Sequence, residues 1–129
     1  MTNKNEVGYW IKRKGHEKFE DTKPELGFKG FATAQGYLIR KGAPVWVEGW
    51  RLTPDFDFKL DTVVLIDGRY HWTDTQAKKD RWRDELYKKA GKKIIHIDAP
   101  LCDTKYWVDL AYLFKAALEK DEPVVYIRQ

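Results

Sequence analysis

The chain is poor in cysteine and contains no long hydrophobic run. Its single cysteine, Cys102, excludes an internal disulfide and any zinc site built from several cysteines. No apolar stretch approaches the roughly 20 residues that a membrane-spanning helix needs, and the polar N-terminus lacks the apolar core of a signal peptide. These absences predict a soluble, intracellular protein of the cytoplasm with no membrane partner.

The length and composition predict one folded domain. With 129 residues, of which 43% are hydrophobic and 15% aromatic, the chain can bury a core of its own. Periodic apolar segments follow each other closely, which is not typical of disorder. We expect a single domain over residues 1–129, with residues 1–21 forming an N-terminal extension.

Positive charge is concentrated beside a segment of opposite sign, within a formal net charge of +4. Residues 76–93 contain eight lysines and arginines against three acidic residues, whereas residues 43–75 are net acidic. Basic surface next to an acidic site is typical of proteins that place metal ligands beside phosphates, although lysine-rich helices are more commonly plain solvated surface. The side chains predicted to contact nucleic acid are Lys78, Lys79, Arg83, Arg69 and Trp72.

Hydrophobic periodicity and turn residues predict alternating helices and strands. The segment 22–25, TKPE, matches a capping box and predicts a helix that ends near Gly42. Its predicted buried face comprises Leu26, Phe28, Phe31, Ala32, Ala34, Tyr37 and Leu38. The later predictions are a strand at 45–50, two strands within 54–71, a helix from 73 or 74 to 90, a strand at 92–98, a helix at 104–120 and a strand at 124–127. This order predicts an α/β fold, a mixed β-sheet flanked by helices.

Polar residues mark the tips of the two central strands. Asp55 begins one strand, while Asp67 and His71 follow the apolar run 63–66 of the next. Two carboxylates and an imidazole at strand ends could hold a divalent cation, and oxygen ligands favour Mg²⁺ over Zn²⁺. The alternative is that Asp55 is a solvent-facing strand residue and Asp67 belongs to an ordinary turn.

A series of short motifs continues this pattern along the sequence. Pro54-Asp55-Phe56 is followed by Val63-Val64-Leu65-Ile66-Asp67-Gly68 with His71, then by Asp80 to Asp84 ahead of Gly91, then by Lys93-Ile94-Ile95. With this order and spacing, residues 22–98 resemble the restriction-endonuclease-like, or PD-(D/E)xK, superfamily. The likeness is to its very-short-patch-repair (Vsr-like) endonucleases and related small nuclease domains of bacteria and phages. The resemblance implies a restriction-endonuclease-like fold.

The resemblance also implies roles for individual residues. Asp55 is similar to the carboxylate that binds the catalytic metal, and the backbone carbonyl of Ile66 to a second metal ligand. His71 is similar to the imidazole that activates water or assists the leaving group, and Asp80 to the acid that orients it. Glu25 corresponds loosely to an acidic residue on the first helix of related nucleases.

The chain departs from the superfamily pattern at one strand. The (D/E)xK triplet would fall on residues 65–67, where both the first carboxylate and the lysine are absent. Vsr-like enzymes lack them too. Asp67 stands where they have a histidine, so it either adds a metal ligand or caps the turn. Their structural zinc site is not expected in a chain with one cysteine and three histidines.

Several candidate residues have simpler explanations. The capping box alone accounts for Glu25, and Asp80 and Asp84 could each pair with a neighbouring lysine or arginine. His96, in an apolar strand, is expected to be a satisfied core residue. Two further carboxylates are minor candidates: Asp57 is secondary to Asp55, and Glu48 is a reserve ligand.

Together these features predict a DNA endonuclease that uses Mg²⁺, for which Mn²⁺ can substitute. A small protein can read few bases, so we expect recognition of DNA structure, such as a mismatch, a branch or a Holliday junction, in repair or recombination. A homodimer would allow both strands to be cut. The alternatives are a site-specific homing or restriction-type endonuclease and a non-catalytic DNA-binding module with the same fold.

Overall fold

A five-stranded mixed β-sheet organises the protein. The computed structural model describes residues 5–6, 8–9, 22–68 and 74–129. Its helices are α1 (Lys23–Gln35), α2 (Asp74–Lys89) and α3 (Trp107–Glu119). Its strands are β1 (Asn5–Glu6), β2 (Gly8–Tyr9), β3 (Ile39–Lys41), β4 (Val45–Val47), β5 (Trp50–Leu52), β6 (Phe56–Phe58), β7 (Thr62–Asp67), β8 (Lys93–Asp98) and β9 (Val124–Ile127).

The main sheet has the strand order β3-β6-β7-β8-β9. Strand β6 runs antiparallel to both of its neighbours, β3 and β7, whereas β7, β8 and β9 are parallel. Parallel neighbours need a crossover connection, and α2 and α3 provide it on either side of β8. Because parallel strands end at one edge, Asp67 of β7 lies directly opposite Asp98 of β8.

The helices cover both faces of this sheet. One face carries α1 and α3, whose Phe28, Phe31 and Phe114 pack in a buried aromatic cluster with Phe56. On the other face, Leu86 and Tyr87 of α2 pack against alternate residues of β7 and β8. The predicted mixed α/β sheet flanked by helices is therefore confirmed.

The first helix begins as predicted but ends six residues early. Thr22 Oγ1 accepts from the Glu25 amide at 3.3 Å, and Glu25 Oε1 accepts from the Thr22 amide at 2.9 Å, which completes the capping box. The helix stops at Gly36, whose φ of 81° is readily available to glycine. The prediction of a helix up to Gly42 was wrong, because strand β3 occupies part of that segment. The prediction of a buried face including Leu26, Ala34 and Leu38 was also wrong, since all three are exposed.

The predicted single strand at 45–50 is instead a hairpin. Strands β4 and β5 pair with each other across a turn at Glu48 and Gly49, both with positive φ. This turn is the sharp connection that a two-residue hairpin requires. Glu48 pairs there with Lys89 at 3.1 Å, so the reserve ligand lies in an ion pair outside the proposed site.

Two glycines permit close backbone packing. A Cβ at Gly27 would lie 2.5 Å from the carbonyl oxygen of Cys102, and one at Gly42 would lie 2.1 Å from that of Pro54. Gly27 thus lets α1 approach the 3₁₀ turn at Ala99–Cys102. Gly42 lets the chain after β3 cross directly over the residue that precedes Asp55.

The C-terminal elements largely follow the sequence predictions. A second 3₁₀ turn at Thr104–Tyr106 precedes α3, so the predicted helix from 104 begins at Trp107 instead. The thiol of Cys102 is free and buried. Within residues 22–68 and 74–129, none of the helices has the length and apolar character needed to cross a membrane.

Candidate metal centre and acidic cavity

The C-terminal ends of β7 and β8 open into a cavity of about 370 Å³ between α1 and α2. In α/β sheets, ligand-binding and catalytic sites commonly lie at the carboxyl ends of the parallel strands. Its lining is rich in ionisable side chains. They are Glu25, Asp55, Asp67, Asp80, Arg83, Asp84 and His96.

Glu25 and Asp55 form a carboxylate pair in this cavity. Glu25 comes from the first turn of α1, and Asp55 lies immediately before β6. Glu25 lies close enough to Asp55 to act on that carboxyl through a side-chain hydrogen bond and through its negative charge. The Ile66 amide donates to Asp55 Oδ2 at 2.7 Å, and Lys41 Nζ lies 3.8 Å from Glu25 Oε1.

The environment favours the protonated form of this pair. Burial raises the pKa of Asp55 most strongly, and the hydrogen bond and negative charge of Glu25 raise it further. The Ile66 amide and the Lys41 ammonium act in the opposite direction, and the resulting pKa is about 8. Asp55 is therefore protonated at neutral pH, so a divalent cation at this pair would have to displace that proton.

The strand next to the pair supplies backbone groups. The amide of Ile66 is already bonded to Asp55, which fixes the carboxylate against β7. The predicted contribution of the Ile66 carbonyl to metal binding stays a prediction. Over the described ranges no three His, Cys, Asp or Glu side chains converge on a metal position, so the pair would need backbone, water or substrate oxygens to complete a coordination shell.

A second cluster on the same cavity is built around His96. Its Nδ1 lies 3.1 Å from the Asp67 carboxylate, and its Nε2 lies 2.9 Å from Asp84 Oδ1. Tyr126 stacks on the imidazole with ring centroids 4.5 Å apart and donates its hydroxyl to Asp84 Oδ2 at 3.3 Å. Since both ring nitrogens face carboxylates, both donate, and the ring is an imidazolium.

The charge of His96 is neutralised within its own cluster. Burial lowers the pKa of the imidazole, but the hydrogen bonds and negative charges of Asp67 and Asp84 outweigh burial and raise the pKa to about 9. At neutral pH a group in this state has no lone pair with which to accept a proton. His96 is 3% exposed, so its role is to hold the two carboxylates.

Asp67 and Asp80, both predicted at the catalytic centre, line the cavity. The carboxylate of Asp67 faces His96, and both its predicted metal ligation and its predicted turn-capping role stay predictions. Asp80 is buried in α2, where it accepts from Arg83 Nη2 at 2.6 Å. Asp84 belongs to the His96 cluster.

The remaining predicted side chains fall into two groups. Lys78 and Lys79 are exposed on the first half of α2, and Arg83 lines the cavity wall. Arg69, His71 and Trp72 lie outside the described residues, so the predicted water-activating imidazole and its pairing with Asp80 stay predictions.

Asp57 has a structural explanation. Its Oδ2 accepts the Ala43 amide at 3.1 Å, which fastens the turn after β3 to strand β6. Asp57 does not line the cavity that Asp55 lines. Asp55, just before β6, and Asp57, within it, are thus two nearby aspartates with different surroundings.

The prediction that His96 is a satisfied core residue is confirmed, because its side chain is buried and both ring nitrogens face carboxylates. Its position at the cavity wall was not predicted, although His96 and Asp98 alternate with isoleucines and so face one side of β8 near its C-terminal end. Lys41, which lies near Glu25, carries no such signal, because the sequence pattern assigns this segment to the first helix.

Comparison with known proteins adds no relative. No protein-family model, no curated protein and no solved structure matches the chain.

Proposed function

We propose that the protein is a Mg²⁺-dependent DNA endonuclease that hydrolyses phosphodiester bonds. The observation that carries the proposal is the Glu25–Asp55 pair, two neighbouring carboxyl groups that line a cavity at the C-terminal ends of the parallel strands of the mixed sheet. A pair of this kind repels itself unless a proton or a cation lies between its members. Replacing the proton by a divalent cation is the simplest way to ionise both.

The donor set fits a hard cation. Glu25, Asp55 and the Ile66 carbonyl would offer oxygens alone, which suit Mg²⁺ and Mn²⁺. When bound beside a scissile phosphate, such a cation supplies positive charge and lowers the pKa of water. The Ile66 amide holds Asp55 in place, and the capping box holds Glu25 to the helix start, so neither carboxylate must reorganise.

The positive charge of α2 supports DNA as the substrate. Lys78 and Lys79 are exposed on this helix, which also carries the cavity residues Asp80 and Arg83. Exposed lysines on such a helix can contact DNA phosphates. We further propose that the enzyme selects a DNA structure, because a chain of 129 residues leaves little surface for reading many bases.

A cleavage assay tests the proposal with variants that preserve the local structure. Labelled four-way junction, mismatched duplex and perfect duplex would be incubated with Mg²⁺, Mn²⁺ or chelator. Asp55→Asn should reduce the cleavage rate on the order of 10³-fold, and Glu25→Gln on the order of 10²-fold. Glutamine still completes a capping box, so Glu25→Gln separates chemistry from helix initiation.

Asp57→Asn is the matched control, because it changes an aspartate two residues away that lies outside the cavity. It should cut at close to the native rate. If the native protein binds DNA equally with chelator and with Mg²⁺ but never cuts any substrate, the protein is a non-catalytic DNA-binding module and the nuclease proposal is wrong. Equal losses in Asp55→Asn and Asp57→Asn would mean that the pair has no special role.

A further inference from the structure

Two exposed tryptophans contact each other on a side of α2 that faces away from the acidic cavity. Trp50 of β5 and Trp82 of α2 lie with their ring centroids 4.9 Å apart and their ring planes at 89°. Trp82 is two residues from Asp80 and two residues from Asp84, both of which line the cavity. Because residues two apart on an α-helix point about 200° apart, the tryptophan pair lies on a surface separate from the proposed site of hydrolysis.

Buried side chains already fasten the β4–β5 hairpin to α2. Val47 and Leu52 of the hairpin pack with Leu86 of α2 in one buried cluster. Trp50 and Trp82 are not part of that cluster, and they remain 55% and 43% exposed. Large aromatic side chains that meet at the surface are typical of a binding site.

The surface around Trp82 carries positive charge. Lys78 and Lys79 precede Trp82 by four and three residues, so the three side chains are neighbours on the exposed face of the helix. Glu85, three residues after Trp82, is neutralised by Lys88 at 2.6 Å. Aromatic rings beside cations suit a ligand that combines flat bases with phosphates, which describes a nucleic-acid strand.

The perpendicular arrangement of the two indoles favours an unpaired base. Two perpendicular rings form a corner, in which a flat base stacks on one ring and meets the other with its edge. Bases within a duplex stack on each other and expose only their edges in the grooves, so they cannot enter such a corner. Every base has a face that can stack, so this contact selects unpaired nucleotides without selecting a sequence.

We propose that the Trp50–Trp82 pair binds unpaired nucleotides of a nucleic-acid strand, whose bases stack on the indoles while Lys78 and Lys79 contact its phosphates. This inference goes beyond the proposed hydrolysis, because it concerns a surface outside the acidic cavity and requires no cleavage.

A binding experiment in chelator tests the proposal with the full chain. The probes are labelled oligothymidylate and oligouridylate strands about 12 nucleotides long and a blunt DNA duplex of the same length. Affinities are measured for the native protein, for Trp82→Leu and for Trp82→Phe. Trp46→Leu is the matched control, because Trp46 is an exposed tryptophan of the same hairpin that pairs with Arg51 on the opposite face.

The single strands should lose affinity only when the aromatic ring is removed. Trp82→Leu should bind them about 5- to 100-fold more weakly than the native protein does, because one stacked base is lost. Trp82→Phe keeps a ring and should retain most of the affinity, and Trp46→Leu should bind like the native protein. The affinity for the blunt duplex should be the same in all four proteins, and the strand that binds more tightly identifies DNA or RNA as the ligand.

The salt dependence separates the stacking contact from the phosphate contacts. Replacing Lys78 and Lys79 by glutamine should reduce the slope of log affinity against log salt by about 0.7 for each phosphate contact that is lost. Trp82→Leu should leave this slope unchanged. If Trp82→Leu does not fold at the assay temperature, Trp50→Leu and Trp50→Phe make the same comparison on the other ring.

Three results would refute the proposal. They are failure of the native protein to bind either single strand, equal affinities of the leucine and phenylalanine variants, and an equal loss of affinity in Trp46→Leu. None of them bears on the nuclease proposal, which is tested by cleavage. Conversely, a native protein that never cuts DNA can still show the stacking contact in this experiment.

Discussion

Two groups of buried carboxylates share one cavity, and they handle their charge in opposite ways. Asp67 and Asp84 surround the imidazolium of His96, so the protein supplies the counter-charge itself. Glu25 lies beside Asp55, with Lys41 3.8 Å from Glu25, and burial and Glu25 raise the pKa of Asp55 so that Asp55 keeps a proton at neutral pH. A cluster with its own counter-charge loses stability when one partner is removed, whereas a protonated carboxyl would have to lose its proton before it could bind a cation.

The largest expected effect comes from removing the internal cation. His96→Leu removes the imidazolium that neutralises Asp67 and Asp84 and should lower the free energy of unfolding by about 3–5 kcal/mol. Chemical denaturation measures the loss. Asp55→Asn should lower the free energy of unfolding much less, or raise it, because it removes a carboxylate whose charged form burial already disfavours. Equal losses of unfolding free energy in the two variants would contradict the distinction between the two clusters.

A second expectation concerns Mg²⁺ as a stabiliser in the absence of DNA. At 100 times its dissociation constant the cation should stabilise the folded protein by about 2.7 kcal/mol, seen as a rise in Tm. Because Mg²⁺ competes with the proton on the Glu25–Asp55 pair, the rise in Tm at one fixed Mg²⁺ concentration should be larger at pH 8 than at pH 6.

Three substitutions locate that cation. Asp55→Asn and Glu25→Gln should abolish the rise in Tm, whereas Asp67→Asn should preserve it if the carboxylate of Asp67 serves His96 alone. Loss of the rise in Asp67→Asn would instead support the metal ligation that the sequence predicts for Asp67.

The pH dependence of stability separates the two clusters further. The pKa of Asp55 is about 8 in the folded protein against an ordinary 3.8, so the folded state keeps a proton that the unfolded chain has released, and stability should fall as pH rises from about 4 to about 8. The pKa of His96 is about 9 against 6.5, so its contribution is complete below about 6.5 and is lost as pH rises through about 9.

Each group adds a slope of at most about 1.4 kcal/mol per pH unit within its own range. Denaturation series in chelator at pH 5, 7 and 9 measure these slopes. Asp55→Asn should flatten the decline between pH 5 and 7 and leave most of the decline above pH 7. An unchanged slope below pH 7 would show that Asp55 is ionised in the folded protein.

The smallest effect should come from the edge of the His96 cluster. Tyr126→Phe removes the 3.3 Å hydrogen bond to Asp84 but keeps the ring on the imidazole, and should cost about 0.5–1.5 kcal/mol. It should leave the Mg²⁺-dependent rise in Tm unchanged. A reduced rise would mean that the two clusters are coupled through the cavity.

Much of the architecture could be predicted from local patterns. The capping box at Thr22, the apolar run of β7, and the amphipathic pattern of α3 each follow from short-range preferences that the fold preserves. The first helix was predicted too long because glycines at 27 and 30 had already weakened its pattern, so Gly36 was not distinguished as its end. The hairpin at 45–52 was missed because Glu48 and Gly49 do not form one of the usual turn pairs.

The sequence by itself determined that acidic residues lie at the ends of strands and that a basic helix follows them. The alternation of apolar and polar residues, together with the turn residues, fixes which positions end a strand. Only the tertiary structure decided which of these residues meet. Glu25 and Asp55 are 30 residues apart, and His96 reaches Asp67 and Asp84 from a third element. Such contacts depend on strand order and helix placement, which arise from packing of the whole core and leave no local trace in the chain.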